Sequence, residues 1–124
     1  MSTWRRKALE FLPEMRLEIE SSNSPAGLWI EITFAFFDAA DAANEDFIKR
    51  TLSYLSWCAS DVAGLTTQQA VYCGFLEDIA NKKKLWPMFN KWFNKAQFEK
   101  YKDPFQYTLS DRDFKALENE FYQR

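Results

Sequence analysis

The stretch LWIEITFAFFDAADAA, residues 28–43, decides the fold, because it belongs to the most apolar part of the chain. Its apolar side chains fall all round a helical wheel. The polar residues Glu31 and Asp38 are seven residues apart and share one side of that wheel. The pattern predicts a central, mostly wrapped helix over residues 25–43, and Pro25 suits its first position.

Helix signals recur on both sides of this central helix. Predicted helices cover residues 4–12, 13–21, 45–59, 66–80 and 111–122, with one or two short helices around Pro87. Three glycines and four prolines are too few for the many turns of a sandwich or barrel. The sequence therefore predicts an all-α fold. We expect a single all-helical domain over residues 1–124, a compact bundle of about six or seven helices around the central helix.

A second aromatic-rich stretch, KKKLWPMFNKWFNKAQFEKYK over residues 82–102, carries seven lysines. On a helical wheel, its large apolar side chains between residues 85 and 93 fall within an arc of about 160°, opposite the lysines and asparagines. A nucleic-acid platform needs aromatic faces and cations on the same surface. The segregation predicts that the rings pack inward and the lysines face solvent. A break at Pro87 would rotate Leu85 and Trp86 relative to the rest.

Charge is unevenly distributed along the chain, whose formal net charge is −2. Residues 1–81 carry six basic and twelve acidic side chains, and residues 82–102 carry seven basic side chains and one acidic. Opposed patches of this kind steer association with charged partners. We expect the lysines either to face acidic groups of the same chain, such as Glu31, Asp38 or Asp41, or to take part in an intermolecular contact.

Composition excludes several kinds of chemistry. The chain has no histidine, so it cannot form a histidine-dependent triad or a histidine metal site. It has no glycine loop for phosphate, and its two cysteines, Cys58 and Cys73, are expected to be buried thiols. Carboxylate pairs such as Glu77 and Asp78 are expected to face water. The sequence therefore predicts a protein that is not an enzyme, with no catalytic residue, metal or cofactor.

No membrane segment is expected from the sequence. The N-terminus lacks the continuous apolar stretch of a secretory signal. The most apolar run is interrupted by charges and is shorter than the roughly 20 residues that cross a bilayer. We therefore expect a cytoplasmic location without membrane contact.

Five blocks carry a resemblance to known sequences: FLPEMR, LWIEITFAFFDAA, EDFIKRTLSYLSWC, AVYCGFLEDI and YTLSDRDFKAL. They resemble successive blocks of a small, uncharacterised family of all-helical bacterial proteins of unknown function. The similarity covers most of the chain and implies an all-helical fold. Each block is a packing pattern, so the resemblance implies no functional residue. Small proteins of this kind include ones that neutralise bacterial toxins.

Three functions remain open. The first is a protein–protein interaction module that binds another protein or a second copy of itself, an immunity or antitoxin protein that covers a toxin being one form of it. The second is a nucleic-acid-binding protein that uses the lysines of residues 82–102. The third is a small-ligand binder or enzyme built on Glu31 and Asp38. The candidate binding residues are Lys83, Lys84, Lys91, Lys95, Glu31, Asp38 and Asp41.

Overall fold

The computed structural model describes residues 1–122, and within them the ordered segments are helices and helical turns, with no β-strand. The predicted all-α fold is confirmed. The helices of the described residues are shorter and more numerous than predicted. The chain packs as two compact units, Met1–Gly74 and the residues from Phe75 onward. That residues 1–124 behave as one domain stays a prediction.

The first unit is built from five helices. They are α1 (Thr3–Phe11), α2 (Arg16–Ser21), α3 (Pro25–Asp41), α4 (Glu45–Cys58) and α5 (Leu65–Ala70), with 3₁₀ turns at Pro13–Met15 and Asp61–Ala63. Helix α3 packs against α2, α4 and α5, and α1 packs against α4. Because α3 touches three other helices, it is the central element of this unit.

Both ends of α3 have a local explanation. The Ser24 hydroxyl oxygen accepts a hydrogen bond from the Gly27 backbone N–H at 3.1 Å, which satisfies one of the unpaired amides of the first turn. The helix ends at Asp41, two residues before the predicted boundary. Ala43 takes a φ of 55°, the left-handed conformation that commonly ends helices, and Asn44 then caps α4.

Aromatic side chains join α1, α3 and α4 in the first unit. Trp29 of α3 stacks on Tyr54 of α4, with ring centroids 5.4 Å apart and planes 7° from parallel. The Tyr54 hydroxyl donates a hydrogen bond to the Trp4 backbone carbonyl at 2.9 Å, and burial raises the pKa of Tyr54. The stack and the hydrogen bond therefore attach one face of α3 to α4, and α4 to α1.

The prediction that α3 is mostly wrapped is wrong for one side of the helix. Its buried residues are Pro25, Leu28, Trp29, Ile32, Thr33, Phe36 and Ala39, which share one arc of the wheel. On the opposite arc, Ile30 is 57% exposed and Phe34 is 63% exposed. The neighbouring helices cover only one arc, whereas apolar side chains occupy the whole circumference.

An ion pair ties α4 to the 3₁₀ turn that follows α1. The Arg50 guanidinium donates to both carboxylate oxygens of Glu14, at 2.8 and 2.7 Å, and to the Phe11 backbone carbonyl at 2.9 Å. It also pairs with Asp46 at 3.0 Å. The hydrogen bonds from Arg50 lower the pKa of Glu14.

The second unit consists of short helices. They are α6 (Glu77–Ala80), α7 (Phe89–Trp92), α8 (Lys95–Lys100), α9 (Lys102–Tyr107) and α10 (Asp111–Tyr122), with a 3₁₀ turn at Lys83–Met88. Asn94 caps α8 in a capping box, in which its side chain accepts from the Gln97 N–H at 2.8 Å and the Gln97 side chain accepts from the Asn94 N–H at 2.9 Å.

Five of the six aromatic rings of residues 82–102 are buried, in agreement with the wheel, and the sixth, Trp92, is half-buried. Trp86, Phe89 and Phe93 are buried, and the Phe89 and Phe105 ring centroids are 5.2 Å apart. Pro87 does interrupt the α-helix, and the backbone around it, Lys83–Met88, forms a 3₁₀ turn instead. Trp86 nevertheless stays buried, and its indole N–H donates to the Ala80 carbonyl at 2.8 Å.

The helix predicted over residues 66–80 is not continuous. A π-helical turn, Val71–Leu76, separates α5 from α6, and no signal in the sequence predicts it. Cys73 lies in this turn and is exposed, so the prediction of two buried thiols holds for Cys58 alone. Among the described residues, no helix is long and apolar enough to span a bilayer.

Candidate functional site

One side of α3 combines exposed apolar and acidic groups. We call Ile30, Glu31, Phe34, Asp38 and Asp41 the outer face of α3, because all five are exposed. Ile30 and Phe34 are one turn apart and therefore adjacent on the helix surface. Half-buried Phe37 lies between this face and the buried arc. The outer face is thus an apolar strip with carboxylates along one edge and at its C-terminal end.

Glu31 and Asp38 mark the acidic edge of this strip. Across the part of the chain that the structure describes, neither carboxylate forms an ion pair or a side-chain hydrogen bond. The expectation that they face the lysines of residues 82–102 concerns the second unit and stays a prediction. Their negative charges are available to an external partner.

Each of these carboxylates borders its own groove. A shallow groove of about 530 Å³ between α2 and the start of α3 is lined by Glu31 and Glu18, with exposed Leu17 at its edge. A second groove of about 350 Å³, near the end of α3, is lined by Asp38 and Glu14. Glu31 and Asp38 therefore belong to different grooves, and the structure does not bring them together in one small-molecule site.

The acidic end of α3 is unfavourable for the helix itself. Asp38 and Asp41 lie in its last turn, which has no basic residue. A helix C-terminus carries a partial negative charge, so carboxylates there are repelled and cations are attracted. Within the described residues Asp38 has no ion pair that offsets this repulsion, and a cationic partner would offset it.

The candidate lysines lie in the second unit and are spread over several short elements. Lys83 and Lys84 belong to the 3₁₀ turn, Lys91 to α7, and Lys95 is the first residue of α8. All four are exposed, and Lys83 pairs with Asp113 at 3.3 Å. Because the rings beside them point inward, these lysines do not form a surface on which bases could stack.

Burial raises the pKa values of three further ionisable side chains, Glu77, Asp78 and Cys58. Burial raises the pKa values of Glu77 and Asp78, and the repulsion from Asp78 adds to the effect on Glu77. Burial also raises the pKa of the Cys58 thiol to about 12, which makes this cysteine a poor nucleophile. Residues 1–122 contain no group of three cysteine or carboxylate ligands that could hold a metal ion.

Sequence reasoning found the acidic residues of the outer face and missed its apolar ones. A mostly wrapped α3 would bury Ile30 and Phe34, because both lie within an apolar run. Their spacing of four residues, on the same side of the wheel as Glu31 and Asp38, was the available signal. The two grooves could not be predicted, because they depend on how α2 and α4 pack beside α3.

Comparison with known proteins finds no family model, no curated protein and no solved structure that matches this chain. This result agrees with a resemblance to proteins of unknown function, and it transfers no activity to the chain. The bacterial origin that the resemblance implies stays a prediction. The functional argument must therefore come from the outer face of α3.

Proposed function

We propose that this protein is a non-enzymatic protein–protein interaction module that binds its partner through the outer face of α3. An immunity or antitoxin protein is one specific form of this proposal, and a cytoplasmic location belongs to it. The partner covers Ile30 and Phe34 and faces the carboxylates of Glu31 and Asp38.

The observation that carries the proposal is the exposure of Ile30 and Phe34 in the middle of an acidic helix face. Single exposed apolar residues are ordinary on protein surfaces. Adjacent apolar side chains bordered by charged residues are typical of interaction sites, where burial of the apolar centre supplies affinity and the charged border supplies specificity. A rigid 17-residue helix presents this surface without any rearrangement of the backbone.

The two other candidate functions have less support. Nucleic-acid binding by residues 82–102 would rest on the lysines alone, because Trp86, Phe89 and Phe93 are buried. A small-ligand site or an active site on Glu31 and Asp38 would need both carboxylates in one pocket, and they border separate grooves.

Site-specific photo-crosslinking tests the proposal. We would replace Phe34 by the photoreactive residue benzoylphenylalanine, express the protein in its native host and irradiate the cells. We expect one specific protein adduct, identified by mass spectrometry. The matched control carries the same residue at Val62, which is 82% exposed in the same unit but lies outside the outer face of α3.

Three results of this experiment would count against the proposal. The same set of adducts at both positions would indicate nonspecific encounters, and no protein adduct at position 34 would show that the face is unoccupied. An adduct with nucleic acid in place of protein would favour the second candidate function.

A further inference from the structure

We infer that the partner presents an amphipathic helix with two basic side chains, spaced about two turns apart, beside an apolar strip. This inference rests on the proposed function and adds the chemistry of the partner. The apolar strip packs on Ile30 and Phe34. The two basic side chains enter the grooves bordered by Glu31 and Asp38.

Each of the two grooves is lined by acidic residues. The groove beside Glu31 also contains the Glu18 side chain, and the groove beside Asp38 also contains Glu14. The groove beside Glu31 therefore offers two carboxylates and the apolar wall of Leu17. The groove beside Asp38 offers the Asp38 carboxylate and the apolar wall of Phe47, because Glu14 is already paired with Arg50. A lysine or arginine fits such a groove, because its aliphatic stem packs on apolar surface while its charged head meets the carboxylates.

The spacing of Glu31 and Asp38, one in each groove, matches two turns of a helix. Glu31 and Asp38 are seven residues apart, which places them about 10 Å apart along the axis of α3 at a rise of 1.5 Å per residue. Seven residues are also close to two full helical turns, so both carboxylates lie on the same edge of the strip. A partner helix that runs alongside α3 matches this spacing with basic residues at positions i and i+7.

The outer face of α3 suits a partner that is itself a helix. Residues 1–122 offer no strand edge to which an extended peptide could add. The outer face of α3 instead has side chains at i and i+4, Ile30 and Phe34, which form the ridge that a second helix packs against. Recognition by helix packing is therefore the mode that this surface allows.

The negative charge at the end of α3 favours a partner with basic side chains. The last turn of α3 combines the negative end of the helix dipole with Asp38. A basic side chain in the adjacent groove would experience the aspartate charge and the dipole together. Residues 1–81 as a whole are acidic, with twelve acidic against six basic side chains, so a basic partner is also attracted at longer range.

Designed peptides test the inference directly. The probe is an alanine- and glutamine-based helical peptide with three leucines along one face and two arginines, seven residues apart, beside them. The matched control has the same composition, with both arginines moved to the opposite face of the peptide. A third peptide carries glutamates in place of the arginines. Binding to the intact protein would be measured by fluorescence anisotropy at several salt concentrations.

We expect the first peptide to bind, the control peptide to bind about tenfold more weakly and the glutamate peptide not to bind. Added salt should weaken the first complex. The double variant Glu31→Gln/Asp38→Asn should weaken it by about tenfold, whereas Glu10→Gln/Asp111→Asn, with the same change in net charge elsewhere, should leave it unchanged. Circular dichroism would confirm that every variant is folded.

Failure of this inference can be separated from failure of the proposed function. If Ile30→Ser abolishes crosslinking from position 34 in cells while Glu31→Gln/Asp38→Asn does not, the face binds a protein without basic groups, and only the inference fails. Equal binding of all three peptides, or a photo-crosslink to a second copy of this chain, also overturns the inference alone. If none of these three substitutions affects the crosslinked complex, both proposals are wrong.

Discussion

Helix α3 and residues 82–102 are both rich in large aromatic and aliphatic side chains, but these side chains are arranged differently in the two regions. In residues 82–102 the apolar side chains form a single arc, and Trp86, Phe89 and Phe93 are all buried. In α3 they occupy the whole circumference, and the surrounding helices cover only one side. An apolar residue is therefore buried only where a neighbour covers its arc, and the uncovered apolar residues of α3 form the surface that we propose for binding.

The largest test of this comparison uses three phenylalanines. Phe36→Ala in α3 and Phe89→Ala in α7 should each lower the free energy of unfolding by about 3 to 5 kcal/mol, because both side chains are fully buried. Phe34→Ala should change it by less than about 0.5 kcal/mol, because that ring is 63% exposed. Urea unfolding followed by circular dichroism measures all three. A loss at Phe34 as large as at Phe36 would mean that the outer face is covered in solution.

A smaller effect is expected at the helix starts in the two regions. Ser24→Ala at α3 and Asn94→Ala at α8 each remove a side chain that accepts a hydrogen bond from the first turn. Each should lower the free energy of unfolding by about 1 kcal/mol in the same urea assay. Ser53→Ala, on the exposed side of α4, is the control and should have no measurable effect. If all three variants have the same free energy of unfolding, the cap hydrogen bonds of Ser24 and Asn94 do not stabilise the protein.

Ion pairs in the two units should differ in strength. Glu14 and Arg50 form a two-pronged pair, whereas Lys83 meets Asp113 at 3.3 Å with a flexible side chain. Glu14→Gln should lower the free energy of unfolding at pH 7 by about 0.5 to 1 kcal/mol, and Asp113→Asn by less. Thermal unfolding at matched pH and salt compares the two. An equal loss of unfolding free energy in both variants would mean that the second hydrogen bond between Arg50 and Glu14 adds no stability.

The Glu14 pair also predicts a pH dependence. The folded-state pKa of Glu14 is lowered from its ordinary value of 4.5, so its contribution to stability is present above that value and disappears as the pH falls through the folded pKa. The difference between the wild-type protein and Glu14→Gln should therefore shrink below about pH 4. A difference that stays constant down to pH 3 would contradict the pairing.

The smallest predicted effect has opposite signs in the two units. Asp38→Asn should raise the free energy of unfolding by about 0.3 to 0.5 kcal/mol, because it removes a negative charge from the C-terminal turn of α3. Asp111→Asn should lower it by a similar amount, because Asp111 lies in the first turn of α10. Precise thermal unfolding at low salt detects both. A loss at Asp38 would remove the argument that this residue is kept for binding.

The helical class and the inward-facing rings could be predicted from the sequence, because both depend on local periodicity. The wheel placed Trp86 and Phe89 correctly even though Pro87 interrupts the helix, since a 3₁₀ turn still buries one side. The exposure of Ile30 and Phe34 could not be predicted in the same way. It depends on how many helices surround α3, which is a property of tertiary packing.

The candidate site was half visible in the sequence. Glu31, Asp38 and Asp41 could be singled out because charges stand out within an apolar run, and the structure places all three on one face. The lysines were equally prominent but lie on separate elements beside buried rings. Cys73 was misassigned because nothing in its neighbourhood indicated the π-helical turn that exposes it.

The exposure of Cys73 has a practical consequence for work with this protein. Cys58 is fully buried and its pKa is raised to about 12, so a maleimide reagent should react at Cys73 and leave Cys58 untouched. The native chain thus offers a single attachment point for a fluorophore without any engineered residue. The same thiol would slowly link purified molecules into covalent dimers in air, so Cys73→Ser or a reducing agent is advisable during storage.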